Sequence, residues 1–111
     1  MRPNKWEIWL VDMPYEEGIG SKIRPALVID PQKNLYIVGK MTTHPPRPSF
    51  PYEYPMIDWQ GAGLTRPTTL RLSKMPKLEL SRFKKKLGVI RPVDLINVRA
   101  ILMRMLSDQL L

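Results

Sequence analysis

Five prolines stand within eleven residues, from Pro45 to Pro55. Proline brings no N–H to a ladder and fixes its own φ, so neither a helix nor an inner strand can run through this stretch. It is expected to be an extended loop or an irregular sheet edge. Ahead of it lie runs of strand formers. Glu7 to Met13 reads as a first strand, ended by Pro14. Arg24-Pro25 opens a second, Ala26-Leu27-Val28-Ile29, which is apolar on both faces and belongs inside a sheet. Leu35 to Met41 is a third and runs into Thr42-Thr43-His44. Tyr15 to Lys22 reads as a loop and Asp30 to Asn34 as a turn.

Behind the prolines, Gly61 to Leu64 is a turn and Thr68 to Leu72 a fourth strand. Glu79 to Leu87 has the composition of a short basic helix with Gly88 as its C-cap, and Val89-Ile90 could form a last short strand. Residues 92–107 read as an amphipathic helix. Pro92 suits its first position, and Asp94 suits the positive end of its dipole. Val93, Ile96, Ala100, Met103 and Leu106 recur at helical spacing and are expected to pack on the sheet. The fold class expected is mainly β with α (α+β): a small, mostly antiparallel sheet or barrel with a C-terminal helix. Its 111 residues suffice for one domain with one modest core.

Composition narrows the function. No apolar run is long enough to span a bilayer. No apolar signal core follows Met1-Arg2-Pro3-Asn4-Lys5, so a cytoplasmic protein without membrane partners is expected. Cysteine is absent, which excludes disulfides and thiolate metal sites. His44 is the one histidine, which excludes a histidine-pair nuclease within one chain. The net charge is +8 and unevenly placed. Residues 1–60 hold seven Lys/Arg and seven Asp/Glu, whereas residues 61–111 hold eleven against Glu79, Asp94 and Asp108. A concentrated basic field favours a polyanion: nucleic acid, an anionic membrane or an acidic protein. A merely solvated charged face carries the same pattern.

The segment Gly20-Ser21-Lys22-Ile23-Arg24-Pro25-Ala26-Leu27-Val28-Ile29 resembles the RPALV segment of MazF/PemK-type toxins. Ile8 to Pro14 is similar to that family's first strand. Lys40-Met41-Thr42-Thr43 sits where the family has a hydrophobic-Thr-Ser/Ala step. Asp58-Trp59, Ala62-Gly63-Leu64, Thr69-Leu70-Arg71-Leu72 and Lys86 to Ile90 resemble its later landmarks in order. The match runs from about Trp6 to Leu106. No single motif is specific; their order and spacing carry the resemblance. It implies an SH3-like small β-barrel with a C-terminal helix, usually a homodimer. It also implies a growth inhibitor of a toxin–antitoxin module that cleaves single-stranded RNA with no metal or cofactor. An acidic antitoxin partner follows from it too, and gives the positive charge a second explanation.

RNA carries its own nucleophile, the 2′-hydroxyl. An enzyme must help that proton leave, stabilise charge on the phosphate and protonate the departing 5′-oxygen. A guanidinium suits the phosphate, since its planar fork meets two oxygens. By resemblance, Arg24 is that group and Thr42 its hydrogen-bonding partner, with Arg71 also catalytic. A strand-end arginine paired with Asp12, Glu16 or Glu17 is the competing reading of Arg24. Thr42 and Thr43 point to opposite faces of a regular strand, and motif alignment selects Thr42 for catalysis. Two residues after Arg71, relatives carry an acid or amide, whereas this chain has Ser73. That departure leaves Glu16, Glu17 and His44 as candidates for the general base.

Substrate grip is expected from Lys22, Lys40, Arg47, Lys74 and Lys77, with Thr43, His44 and Ser73 beside them. Bases would stack on Phe50, Tyr52 or Tyr54. Phe50 and Tyr54 as core cover is the competing reading. Lys84-Lys85-Lys86 reads as a general field or solvated face. Two other functions fit the same fold: a gyrase-binding poison of the CcdB type, and a nucleic-acid-binding protein without catalysis. The Arg24 and Thr42 pairing argues against the first, and Ser73 is the best support for the second.

Overall fold

The computed structural model describes residues 2–111. Seven strands and one helix follow along them. These are β1 (Glu7–Pro14), β2 (Ser21–Pro31), β3 (Tyr36–Thr42), β4 (Glu53–Pro55), β5 (Thr69–Arg71), β6 (Lys77–Leu78), β7 (Phe83–Val89) and α1 (Pro92–Ser107). Every strand pairing is antiparallel, in the spatial order β4-β5-β3-β2-β1-β7, with β6 on the far end of β3. The proline stretch is an irregular excursion that returns through β4 at the sheet edge, as its composition requires.

The central strands are buried on both sides, because two cores lie on opposite faces of the sheet. Ile8, Leu27, Met41, Leu70 and Leu72 point to one core, which α1 closes with Val98 and Met105. Trp9, Val11, Met13, Ala26, Val28, Tyr36 and Val38 point to the other. Phe83 seals that second core, with its ring 5.9 Å from Trp9 and 5.0 Å from Tyr36, both edge-on. The period-2 alternation of the strands assigns each residue to its face. β2 begins at Ser21, earlier than composition indicates, because it pairs along β1 from Pro14↔Ser21 to Ile8↔Leu27.

Two expectations are corrected. Residues 79–87 do not form a basic helix. They form a short 3-10 turn over Leu80–Arg82 and then strand β7, paired with β1 from Val11↔Phe83 to Glu7↔Val89. The open edge of β1 needs a partner for its backbone groups, and tertiary pairing overrides local helix preference. Lys84, Lys85 and Lys86 then lie exposed on an edge strand, where lysines discourage further pairing. Gly88 is no C-cap. It lies in the strand, where a Cβ would strike the Ala62 carbonyl oxygen.

The helix is present where expected, but it is rotated. Val93, Ile96, Ala100, Met103 and Leu106 face outward. The sheet is met instead by Val98 and Met105, with Leu95, Ile101 and Leu102 partly buried around them. Asp94 sets the rotation. Fully buried, its carboxylate accepts hydrogen bonds from the Tyr54 hydroxyl (2.6 Å), the Ile57 N–H (2.8 Å) and the Asp58 N–H (2.8 Å). The apolar spacing of Val93, Ile96, Ala100, Met103 and Leu106 pointed to another stripe, because it gives no weight to a buried acid with three donors. Among the described residues, no helix is long and apolar enough to cross a membrane.

Candidate functional site

The second core does not extend to the end of its strands. On β2 that face reads Val28, Ala26, Arg24, Lys22, and on β3 it reads Val38, Lys40, Thr42. Ala26 pairs with Lys40, which continues the ladder toward Arg24 beside Thr42. On the next strand, Lys40 pairs with Arg71 and Thr42 with Thr69. Apolar side chains therefore give way, on three adjacent strands, to cations and hydroxyls. The face opposite the helix carries a polar platform held by a rigid sheet.

Arg24 and Thr42 share a cleft of about 210 Å³, lined also by Lys22, Ile23, Pro25, Met41, Thr43 and Thr68. Two of the three competing partners of Arg24 are engaged elsewhere, Asp12 with Arg82 at 3.4 Å and Glu16 with Lys40 at 3.3 Å, while Glu17 lines the neighbouring cavity. The Arg24 Nε is buried without a hydrogen-bond partner. A half-buried guanidinium with an unanswered N–H is a place prepared for an anion. The His44 N–H donates to Thr42 Oγ1 at 3.2 Å, which leaves the Thr42 hydroxyl proton free to donate into the cleft. Thr43 lines the same cleft, since β3 ends at Thr42 and strict alternation ends with it. Thr68 was missed by sequence reasoning. Only the pairing of Thr42 with the neighbouring Thr69 brings that strand end to the site.

Beside this cleft lies a second cavity that shares Arg24 with it. Pro14 to Glu17 fold over Arg24 and Lys40 to form its walls. Lys40 is almost wholly buried, and its ammonium meets the Glu16 carboxylate. Lys74 reaches the other oxygen of Glu16 at 4.0 Å. The hydrogen bond from Lys40, its charge, and those of Lys74 and Arg71 hold the Glu16 carboxyl below its ordinary range, despite slight desolvation. A third cavity continues past Glu16 and Lys40 to Ser73, Lys74, Met75 and Pro76. The three form one track across the sheet.

Arg71 does not line the Arg24 cleft. Its Nε donates to Glu53 Oε2 at 2.9 Å, and Arg47 adds a second ion pair to the same oxygen at 3.2 Å. Both guanidinium groups stand over the Phe50 ring, at 3.9 Å for Arg47 and 5.5 Å for Arg71. Burial would raise the Glu53 carboxyl, but the Arg47 backbone and side chain and Arg71 together hold it below its ordinary range. Glu53 was not singled out in the sequence, because nothing local marks an acid that serves two distant arginines.

The remaining residues are scattered. Tyr52 is not a free stacking platform. Its hydroxyl donates to Asp108 beyond α1, and Arg104 lies over its ring. Tyr54 is buried against Asp94, and burial together with that carboxylate pushes its hydroxyl up to about 12. Lys77 lies on β6, away from the track. Ser73 reaches the end of the track with an unpartnered, buried Oγ. His44 is exposed and follows the cleft residues Thr42 and Thr43 in the chain, its Nδ1 3.1 Å from the Pro45 carbonyl oxygen.

No curated protein matches the chain. An endoribonuclease from a mycobacterial species is similar in structure, with a TM-score of 0.70 at 15% identity, over 96% of this chain and 93% of that one. A mycobacterial endoribonuclease in complex with its cognate antitoxin gives 0.70 at 18% identity, over 95% of each chain. The MazE-MazF complex from Deinococcus radiodurans gives 0.71 at 19% identity, over 96% of this chain and 97% of that one. These likenesses establish the fold, a mainly antiparallel sheet with one C-terminal helix. The family model of PemK-like, MazF-like toxins matches residues 4–106, nearly the full length, and the chain belongs to that family of type II toxin–antitoxin toxins.

Proposed function

We propose that this chain is the endoribonuclease toxin of such a module, and that it cuts single-stranded RNA at the Arg24 cleft without a metal ion. The observation that carries this reading is Arg24, its Nε without a partner, in one cleft with Thr42. The 2′-oxygen attacks the adjacent phosphorus and gives up its proton. The bond from phosphorus to the 5′-oxygen breaks, and that oxygen takes a proton. The products are a 2′,3′-cyclic phosphate and a 5′-hydroxyl. Arg24 binds the non-bridging oxygens, whose charge grows in the transition state, and Thr42 donates a hydrogen bond to one of them. Lys22 and Thr43, which line the cleft, hold the chain with His44 next along it, and Lys40, Lys74 and Ser73 extend the grip along the track. Arg71 acts through its charge rather than by direct contact with the scissile phosphate, since Glu53 holds it.

The partners follow from the same surface. A basic platform suits an acidic antitoxin as well as RNA. The outward apolar stripe of α1 suits a second copy of the chain, in a cytoplasmic homodimer.

Incubation of purified protein with mixed-sequence RNA in EDTA tests the reading. Cleavage with cyclic phosphate ends, and none of the same sequence as DNA, is expected. Loss of activity in EDTA overturns the metal-free mechanism. Normal cleavage by Arg24→Ala overturns the assigned site. Tight RNA binding without cleavage favours the nucleic-acid-binding alternative.

A further inference from the structure

The Glu16 carboxylate is oddly placed for a protein of this kind. It is an exposed acid on a loop, yet it lies across the middle of a basic track. One oxygen meets Lys40 at 3.3 Å, the other meets Lys74 at 4.0 Å, and it separates the cavity that contains Arg24 from the cavity that contains Ser73. Lys40 is the decisive neighbour. Its side chain is 10% exposed, whereas that of Glu16 is 55% exposed. A buried ammonium needs a permanent counter-charge, and an exposed glutamate on a loop is a replaceable one. Gly20, at φ +84°, closes the loop in a conformation that other residues rarely adopt. Two backbone hydrogen bonds, Tyr15 N–H to Gly20 and Gly18 N–H to Tyr15, hold its shape. The Glu16 side chain itself is held by its ion pairs with Lys40 on β3 and Lys74 after β5.

A carboxylate and a phosphodiester offer a cation the same thing: two oxygens that share one negative charge. From this we infer that Lys40 and Lys74 form a second phosphate subsite beside the Arg24 cleft, and that Glu16 occupies it until an RNA phosphate displaces the carboxylate. The inference rests on the reading of the Arg24 cleft as the site of RNA cleavage. RNA is favoured over an acidic peptide as the displacing group because the cavities adjoin through Arg24, so one continuous backbone can serve both positions. Glu16 is then a stand-in for substrate, and not the general base. Its removal is expected to help binding where removal of a base would stop the chemistry.

Steady-state cleavage of a mixed-sequence RNA, with binding of the same sequence as 2′-O-methyl RNA over a range of salt, tests this. Glu16→Gln is expected to lower KM and Kd severalfold while kcat is kept. Lys40→Met and, independently, the exposed Lys74→Met are expected to raise both and to reduce the slope of log K against log salt by about 0.7, the share of one phosphate on a single strand. The Lys74 variant keeps the test valid if Lys40→Met does not fold. A hundredfold fall in kcat for Glu16→Gln with KM unchanged makes Glu16 the proton-transfer group and overturns the proposal. Unchanged KM, Kd and slope overturn it too. If Glu16→Gln leaves RNA binding unchanged but tightens binding of hexaglutamate, the subsite serves a protein partner, and the proposal fails. Failure of the wild-type protein to bind or cut RNA at all instead overturns the reading on which it rests.

Discussion

The Nε of Arg71 donates to the Glu53 carboxylate at 2.9 Å, and the Glu53 side chain is only 2% exposed. The arginine at the end of β5 is thus held in place by an acid on the neighbouring edge strand, its direct ladder partner. Arg47 uses the same oxygen and also binds Glu53 through its backbone N–H at 2.8 Å. This cluster pins the proline-rich excursion to the sheet. Glu53→Gln leaves two arginines competing for one neutral oxygen. A loss of about 2 kcal/mol is expected, reduced from the value for a fully buried pair because Arg47 is one-third exposed. Urea unfolding measures it.

Arg24→Ala is expected to lower RNA cleavage by at least about a hundredfold, the usual cost of losing a transition-state donor. Its stability should stay within about 0.5 kcal/mol, because no ion pair is lost. Thr42→Val should cost about tenfold in kcat, with one hydrogen bond to the phosphate removed. Single-turnover kinetics beside thermal melts separate the two effects.

Asp94→Ala is expected to destabilise the fold by about 3 kcal/mol, since three donors lose their acceptor in the interior. Asp94→Asn should cost less, because one amide oxygen still accepts. Denaturant midpoints rank the two variants. Equal stability of wild type and Asp94→Ala contradicts the role given to Asp94 in seating α1.

Glu7 gives the fold an acid sensitivity. Burial alone would raise its carboxyl, but the Asn4 N–H, the Trp9 indole, Lys86 and the Asn4 amide bring it down to about 2. A carboxyl depressed in the folded state stabilises fully above its ordinary value of 4.5, and that stabilisation is lost as pH falls through about 2. The loss amounts to about 3 kcal/mol. Urea midpoints from pH 6 to pH 2 should fall steeply for the wild type and less so for Glu7→Gln.

The outward stripe of α1 is expected to join two copies. Ile96, at 69% exposed, and Met103, at 65%, lie on it. Ile96→Asp with Met103→Asp should shift the mass in sedimentation from dimer to monomer. An unchanged dimer places the interface elsewhere.

Pattern alone determined the strand-rich first half, the irregular proline stretch and the existence of the C-terminal helix. Each follows from short-range constraints: the strand formers of Glu7 to Met13, absent donors at the prolines, and Pro92 at a helix start. The ordered landmarks singled out Arg24 and Thr42, and the ladder running on from Ala26↔Lys40 sets the two side by side. Tertiary structure alone decided the rest. Residues 83–89 became a strand because β1 had an open edge, and α1 turned Asp94 inward because Tyr54, Ile57 and Asp58 supplied three donors there. Arg71 was drawn to Glu53, and Glu16 to Lys40, by the same cause. A buried charge takes whichever partner the fold brings near, and sequence distance carries no record of that choice.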